Sequence, residues 1–153
     1  MNERIIFEAA DGSDSAAVLQ ILCEAGLPSD GVIEHLGDFT LTRDKLARLI
    51  GVAGVEHYGK IGLLRSVAVV AEWQKSGVGS QIVAEVLQKA QTKGIEEIIL
   101  LTTTAKGFFA RRFNFSETVR GNYDEILYNS AEWSLPRCSS AVVMQLDLRG
   151  KTF

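Results

Sequence analysis

The chain has 153 residues, 46% of them apolar, and a formal charge of -3. That length and apolar share support one domain over 1–153 with a core that needs no metal or disulfide staples. The scattered Lys and Arg residues, clustered only at Arg111-Arg112, leave no basic footprint for nucleic acid.

No stretch approaches the ~20 apolar residues of a membrane span, and the N-terminus carries Glu3 and Arg4 instead of a long apolar segment. A cytoplasmic protein with no membrane partner is expected. Cys23, Cys138, His35 and His57 are too few and too dispersed for a zinc pattern, so no metal is expected. Cys23 lies in a helical apolar stripe and reads as a core residue, whereas Cys138 lies in a polar stretch.

In chain order, Ile5-Ile6-Phe7 opens a first strand, and Asp11-Gly12-Ser13-Asp14 supplies turn and cap chemistry. No Glu or Gln stands three residues after Ser13, which leaves a capping box incomplete. Val18, Leu19, Leu22 and Ala25 recur at helical spacing until Gly26 and Pro28. Ser29 or Asp30 caps a second short helix through Leu36, with His35 in solvent near its end. Phe39 and Leu41, then 49–55, read as strands joined by a turn at Arg43-Asp44-Lys45.

Gly59-Lys60 suits a two-residue hairpin loop. That loop pairs Glu56 with Leu63 and Gly54 with Arg65, making Glu56 and Arg65 diagonal neighbours on one face, provided no bulge intervenes. His57 alternates to the other face, at the turn and in water. Residues 61–70, a helix from Gly77 to about Thr92, and 95–101 form a βαβ unit with parallel strands. The helix buries Val78, Ile82, Val83, Val86, Leu87 and Ala90, and Gly94 stops it.

A short helical segment over 105–113 carries Phe108 and Phe109, followed by a strand from about Phe115 to Val119. Tyr123–Asn129 is ambiguous and open to a helical reading, 133–140 is irregular, and 141–148 closes the chain as a strand. The fold class is therefore α/β of the α+β kind. A mixed, mostly antiparallel sheet holds a central parallel pair and has flanking helices.

Between the Val67-Ala68-Val69 strand and the long helix lies Gln74-Lys75-Ser76-Gly77-Val78-Gly79-Ser80. A helix mouth has unpartnered N–H groups and partial positive charge, and glycines let an anion approach them. Position 82 is Ile82, so the dinucleotide fingerprint is missing its third glycine, and no Gly-Lys-Ser/Thr is present at the helix mouth. Gln74-x-x-Gly77-x-Gly79 after a Val-x-Val strand resembles the acyl-coenzyme A loop of the GNAT N-acetyltransferases, many of which carry glycine where Lys75 stands. The plain alternative is a Gly-rich turn that merely joins strand to helix.

The order of elements resembles the whole GNAT fold. A narrower likeness, to N-acetyltransferases of bacterial arsenic-resistance clusters, lies in 62–69, 100–105, 108–111 and 139–144. The resemblance implies acetyl-CoA as cosubstrate. Backbone groups of Val67, Ala68 and Val69 would meet its thioester and pantetheine, with the Val69 amide polarising the acetyl oxygen. Its diphosphate would rest on Gln74, Lys75, Ser76, Gly77, Val78, Gly79 and Ser80, and Phe109 would pack beside it. Many members place a thiolate-protonating tyrosine on the short helix, and none stands there here. Tyr58, a Thr102–Thr104 hydroxyl or water are the substitutes.

A primary ammonium must lose a proton before it attacks. Glu56 is the leading candidate base, with His57 behind it. The competing reading is that Glu56 only pairs with Arg65, which would acidify it. Arg65, in an apolar strand, needs an anion, either an internal acid or a substrate carboxylate; with Tyr58 it is assigned to the acceptor side.

The expected function is acetylation of a small-molecule amine, amino-acid-like or arsenic-containing, by direct transfer in a ternary complex. Alternatives are a protein N-terminal or lysine acetyltransferase and a non-catalytic acyl-CoA sensor or interaction module. A thiol-based arsenical-binding protein is disfavoured by two widely spaced cysteines. The assembly state is open, a homodimer included.

Overall fold

The computed structural model describes residues 5–136 and 140–153. Its spine is the antiparallel hairpin of β3 (Leu49–Tyr58) and β4 (Ile61–Val69), turned by Gly59-Lys60. The register is the expected one, with Gly54 opposite Arg65 and Glu56 opposite Leu63. A bulge follows between Val52 and Gly54, and Ser66 across from it takes φ 60°, a conformation that side chains disfavour.

Among the described residues, seven strands lie in the order β1-β2-β3-β4-β5-β7-β6. They include β1 (Ile6–Ala9), β2 (Phe39–Arg43), β5 (Glu97–Thr102), β6 (Ser116–Glu117) and β7 (Val142–Asp147). The β4/β5 pair is parallel and its neighbours are antiparallel, as the βαβ reading requires. That pairing stops at Leu64 opposite Leu100, although β4 runs on to Val69 and β5 to Thr102. The two strands therefore part in mid-sheet.

One face of the sheet is covered by α2 (Val78–Thr92) and α3 (Lys106–Phe113). Buried residues of α2 are Val78, Ile82, Val83, Val86, Leu87 and Ala90, the stripe read from its periodicity. They meet Val55, Leu64, Ile98, Leu100 and Met144. The other face is covered in two places. α1 (Ser15–Glu24) packs Val18, Ile21 and Leu22 near Phe39, Leu41 and Val52, while Tyr123, Leu127 and Trp133 cover Leu63 and Ile99. Gly54 is obligatory at the first of these, because a Cβ there would lie 2.7 Å from the Phe39 ring.

Several local expectations are corrected. Asp11 completes a capping box with Asp14: its side chain accepts from the Ser13 N–H, and Asp14 accepts from the Asp11 N–H at 2.9 Å. Cys23 is exposed, because it lies about 140° around the helix from Val18, and Ile21 takes the core position. The second helix is only a run of turns and a single 3₁₀ turn at Leu36–Asp38, since Gly31 adopts φ +77°. Tyr123–Asn129 is turn, and the strand expected over 115–119 shortens to β6. Cys138 and Ser139 lie outside the described residues. Among the described residues, no helix is long and apolar enough to cross a membrane, and no group of three His, Cys, Asp or Glu could hold a metal.

Candidate active site

Where β4 and β5 part, a cavity of about 360 Å³ opens. Ser66 and Val67 of β4, Thr102 at the end of β5 with Thr103 and Thr104 beyond it, Phe108 and Phe109 of α3, and Leu27 and Glu132 from the covering loops line it. Phe109 is buried edge-on to Phe115 with ring centroids 5.5 Å apart and to Phe108 at 5.0 Å, so it anchors α3 while its neighbour faces the cavity. Thr102 Oγ1 accepts from the Ala105 N–H at 2.9 Å, and Thr103 and Thr104 are exposed.

The loop from β4 to α2 is tied back on the strand end. The Gln74 side-chain amide donates to the Val69 carbonyl at 3.0 Å, and Ser76 Oγ bonds the Trp73 carbonyl. Lys75 and Gly77 both take positive φ, 65° and 92°, on either side of Ser76. The Lys75 angle is the physical reason that glycine suits this position. The backbone N–H groups of Gln74 and Ser76 are already bonded to the carbonyls of Ala71 and Trp73, at 3.2 and 3.3 Å. Any anion at this mouth therefore draws on the first turn of α2, at Val78, Gly79 and Ser80, whose N-cap Gly77 supplies no side-chain bond.

Arg65 and Glu56 meet as the register implied, with Arg65 Nη1 donating to Glu56 Oε2 at 2.9 Å. Both side chains are fully buried. Arg65 also donates to the carbonyls of Asp30 (2.6 Å) and Pro28 (3.2 Å) and to Ser66 Oγ (3.0 Å). Glu56 accepts further from the Tyr58 hydroxyl at 2.5 Å and from Ser130. Burial alone would raise the Glu56 carboxyl pKa, but Tyr58, Arg65 and Ser130 outweigh it and hold the pKa below its ordinary value.

This geometry favours a structural pair over the two expected roles. Glu56 is a saturated, acidified carboxylate with no open approach for an amine. The short bonds of Arg65 go to the protein, so it is poorly placed to grip a substrate anion. Tyr58 is likewise engaged with Glu56, and burial followed by that bond pushes its pKa up. His57, half-buried on the opposite face 3.9 Å from Asp38, has its pKa lowered chiefly by burial and does not line the cavity.

The residue that sequence reasoning missed is Glu132. It is buried against the cavity, and its Oε2 reaches only to 3.5 Å from Arg65 Nε. Burial raises its carboxyl pKa to about 7; Arg65 opposes the shift and Glu56 adds to it. The pull of Arg65 is the weaker influence, because that cation is already matched by Glu56 at shorter range. A buried carboxylate in a turn-rich segment has no periodicity to announce it.

A family model for the acetyltransferase (GNAT) domain matches residues 37–117, a little over half of the chain. The chain belongs to the GNAT acetyltransferase family. An uncharacterized N-acetyltransferase of Chlorobaculum tepidum is 31% identical over 83 residues, which are 54% of this chain and 52% of that relative. This GNAT chain thus spans about half the length of the curated relative it matches.

Among solved structures, N-acetylglutamate synthase of Neisseria gonorrhoeae, complexed with coenzyme A and L-arginine, superposes with a TM-score of 0.77 at 19% identity. The match covers 97% of this chain and 34% of that one. Rv2747 of Mycobacterium tuberculosis, in complex with CoA and NLQ, gives 0.76 at 24% identity over 93% and 98% of the two chains. These likenesses establish the GNAT fold: the mixed sheet, its parallel pair and the flanking helices.

Proposed function

We propose that this GNAT chain is an acetyl-CoA-dependent N-acetyltransferase that acetylates the amine of a small molecule by direct attack in a ternary complex. The observation that carries the reading is the parting of β4 from β5 next to the mouth of α2. The parted edge leaves backbone groups of β4 without partners in β5, and the loop beyond it presents a glycine-capped helix start to an anion. Val70 donates to Ile50 of β3, so alternation turns the amides of Val67 and Val69 toward the open side and that of Ala68 toward β3.

Those features fit the acyl thioester and diphosphate ends of acetyl-CoA, and the cavity has the size of a small-molecule site. When bound, acetyl-CoA supplies an electrophilic carbonyl and a thiolate leaving group. The Val69 amide is aligned to donate to the carbonyl oxygen as negative charge develops there. Val78, Gly79 and Ser80 hold the diphosphate, while Phe108 and Phe109 wall the pantetheine and exclude water. Gln74 and Ser76 act on the ligand indirectly, by fixing the loop.

An amino-acid-like acceptor rested on Arg65, whose donors are engaged by the protein. An arsenic-containing acceptor is supported by the sequence likeness alone. A second reading, a non-catalytic acyl-CoA sensor, is favoured by one observation: α3 presents phenylalanines and no hydroxyl where many relatives have a catalytic tyrosine. Both readings predict coenzyme A binding, and only the enzyme releases thiol in an amine-dependent way. The test is free-thiol release from acetyl-CoA with amino acids, amino-phosphonates, amino-arsonates, polyamines and a peptide. Amine-dependent release is expected; coenzyme A binding by thermal shift with silence across the panel would favour the sensor.

A further inference from the structure

We infer that Glu132 is the acceptor-recognition group of the cavity: its carboxylate receives the ammonium of the incoming amine and takes a proton from it, and the acceptor carries no carboxylate beside its nitrogen. This rests on the transferase reading above.

Among the described residues lining the cavity, only Arg65 and Glu132 are ionisable. Arg65 is matched by Glu56 at 2.9 Å and spends its other short bonds on Asp30 O, Pro28 O and Ser66 Oγ. Two carboxylates thus face one guanidinium, and Glu132 is the one left over. Its side chain is 8% exposed, and no described donor hydrogen-bonds to it. A buried carboxylate whose nearest cation, Arg65 at 3.5 Å, is already matched by Glu56 favours an arriving cation and repels an arriving carboxylate. The remaining wall, with Leu27, Pro28 and Phe108, suits an apolar body behind the nitrogen.

Chemistry agrees with charge. Among the described residues, the charged groups facing Glu132 are Arg65 from β4 and Glu56 from β3, and burial outweighs the former, so its proton affinity is matched to neutral pH. The ammonium gives one proton to Glu132, and the freed nitrogen lone pair forms the C–N bond as the carbonyl π pair moves to oxygen. Collapse breaks the C–S bond, the second amine proton passes to the departing thiolate, and Glu132 returns its proton to water. The products are an N-acetyl amine, a free thiol and one proton.

The experiment compares matched amines, phenethylamine with phenylalanine and tyramine with tyrosine, in the wild type, Glu132→Gln and Glu132→Asp. Thiol release is followed from pH 5.5 to 9. The wild type is expected to favour the uncarboxylated member of each pair by about tenfold or more in kcat/KM, with an acidic limb near pH 7. Glu132→Gln should lose on the order of a hundredfold and that limb with it, while Glu132→Asp restores a displaced limb. A preference for the carboxylated members, or an unchanged limb in Glu132→Gln, overturns the inference. If no amine releases thiol although coenzyme A binds, the transferase reading fails. Calorimetry with the same amines then decides this inference: uncarboxylated cations bound and weakened by Glu132→Gln support it, and equal or absent binding overturns it.

Discussion

Glu132→Gln should make the protein more stable above neutral pH and nearly unchanged in acid. In the folded protein the Glu132 carboxyl titrates at about 7, against 4.5 for the ordinary group. Between those values the folded state holds a proton that the unfolded state has lost. The stability conferred by protonation is therefore fully present below pH 4.5 and disappears as pH rises through 7. At about 1.4 kcal/mol per unit, the total is roughly 3 kcal/mol, and the side chain is too buried for solvent to screen much of it. Glutamine keeps the neutral shape and does not titrate.

Urea denaturation at pH 5 and pH 8.5 reads the difference between the two proteins, so slopes common to both, such as that of His57, cancel. The variant should lead by about 3 kcal/mol at pH 8.5, equivalent to roughly 6–12 °C in Tm, with the lead shrinking to about 1 kcal/mol at pH 5. Parallel stability profiles for the two proteins would show that Glu132 is not a strained, desolvated acid.

Arg65→Met strands the buried Glu56 and the carbonyls of Pro28 and Asp30, and should cost about 3–5 kcal/mol in urea denaturation; a loss under about 1 kcal/mol would contradict the buried-pair description. Glu56 has a lowered pKa, so its contribution is present above the ordinary carboxyl range and is lost as pH falls through its folded value; acid unfolding should be steeper in the wild type than in Glu56→Gln. Gly54→Ala drives a methyl into the Phe39 ring and should destabilise by about 1–3 kcal/mol, read the same way. Lys75→Gly releases a left-handed backbone angle and should raise stability by up to about 1 kcal/mol with coenzyme A affinity intact; a loss of affinity by calorimetry would assign the ammonium a role in anion binding.

What the sequence revealed was governed by local rules. Six apolar positions at helical spacing placed the buried face of α2, and Gly59-Lys60 set the hairpin register that brings Glu56 to Arg65. The two glycines of the loop marked the helix mouth, although the internal bonding of Gln74 and Ser76 needed coordinates. The choice between Glu56 as base and Glu56 as ion pair could not be made from the pair alone. Tyr58, Ser130 and the carbonyls of Pro28 and Asp30 decide it, and three of those four come from segments without regular structure. Glu132 was invisible for the same reason, because its burial depends on the covering loop docking far from it in sequence. Gly31 shows how tight that closure is: a Cβ there would meet Ala131 at 3.1 Å and Arg65 Nη1 at 3.4 Å.

The central claim, direct acetyl transfer to an amine, is tested most directly by single-turnover mass spectrometry with isotopically labelled acetyl-CoA and an uncarboxylated amine. The account predicts that the label appears on the amine nitrogen as free thiol is released, with none on the protein at any time. Label retained on coenzyme A, or carried covalently by the protein before it reaches the amine, would contradict it.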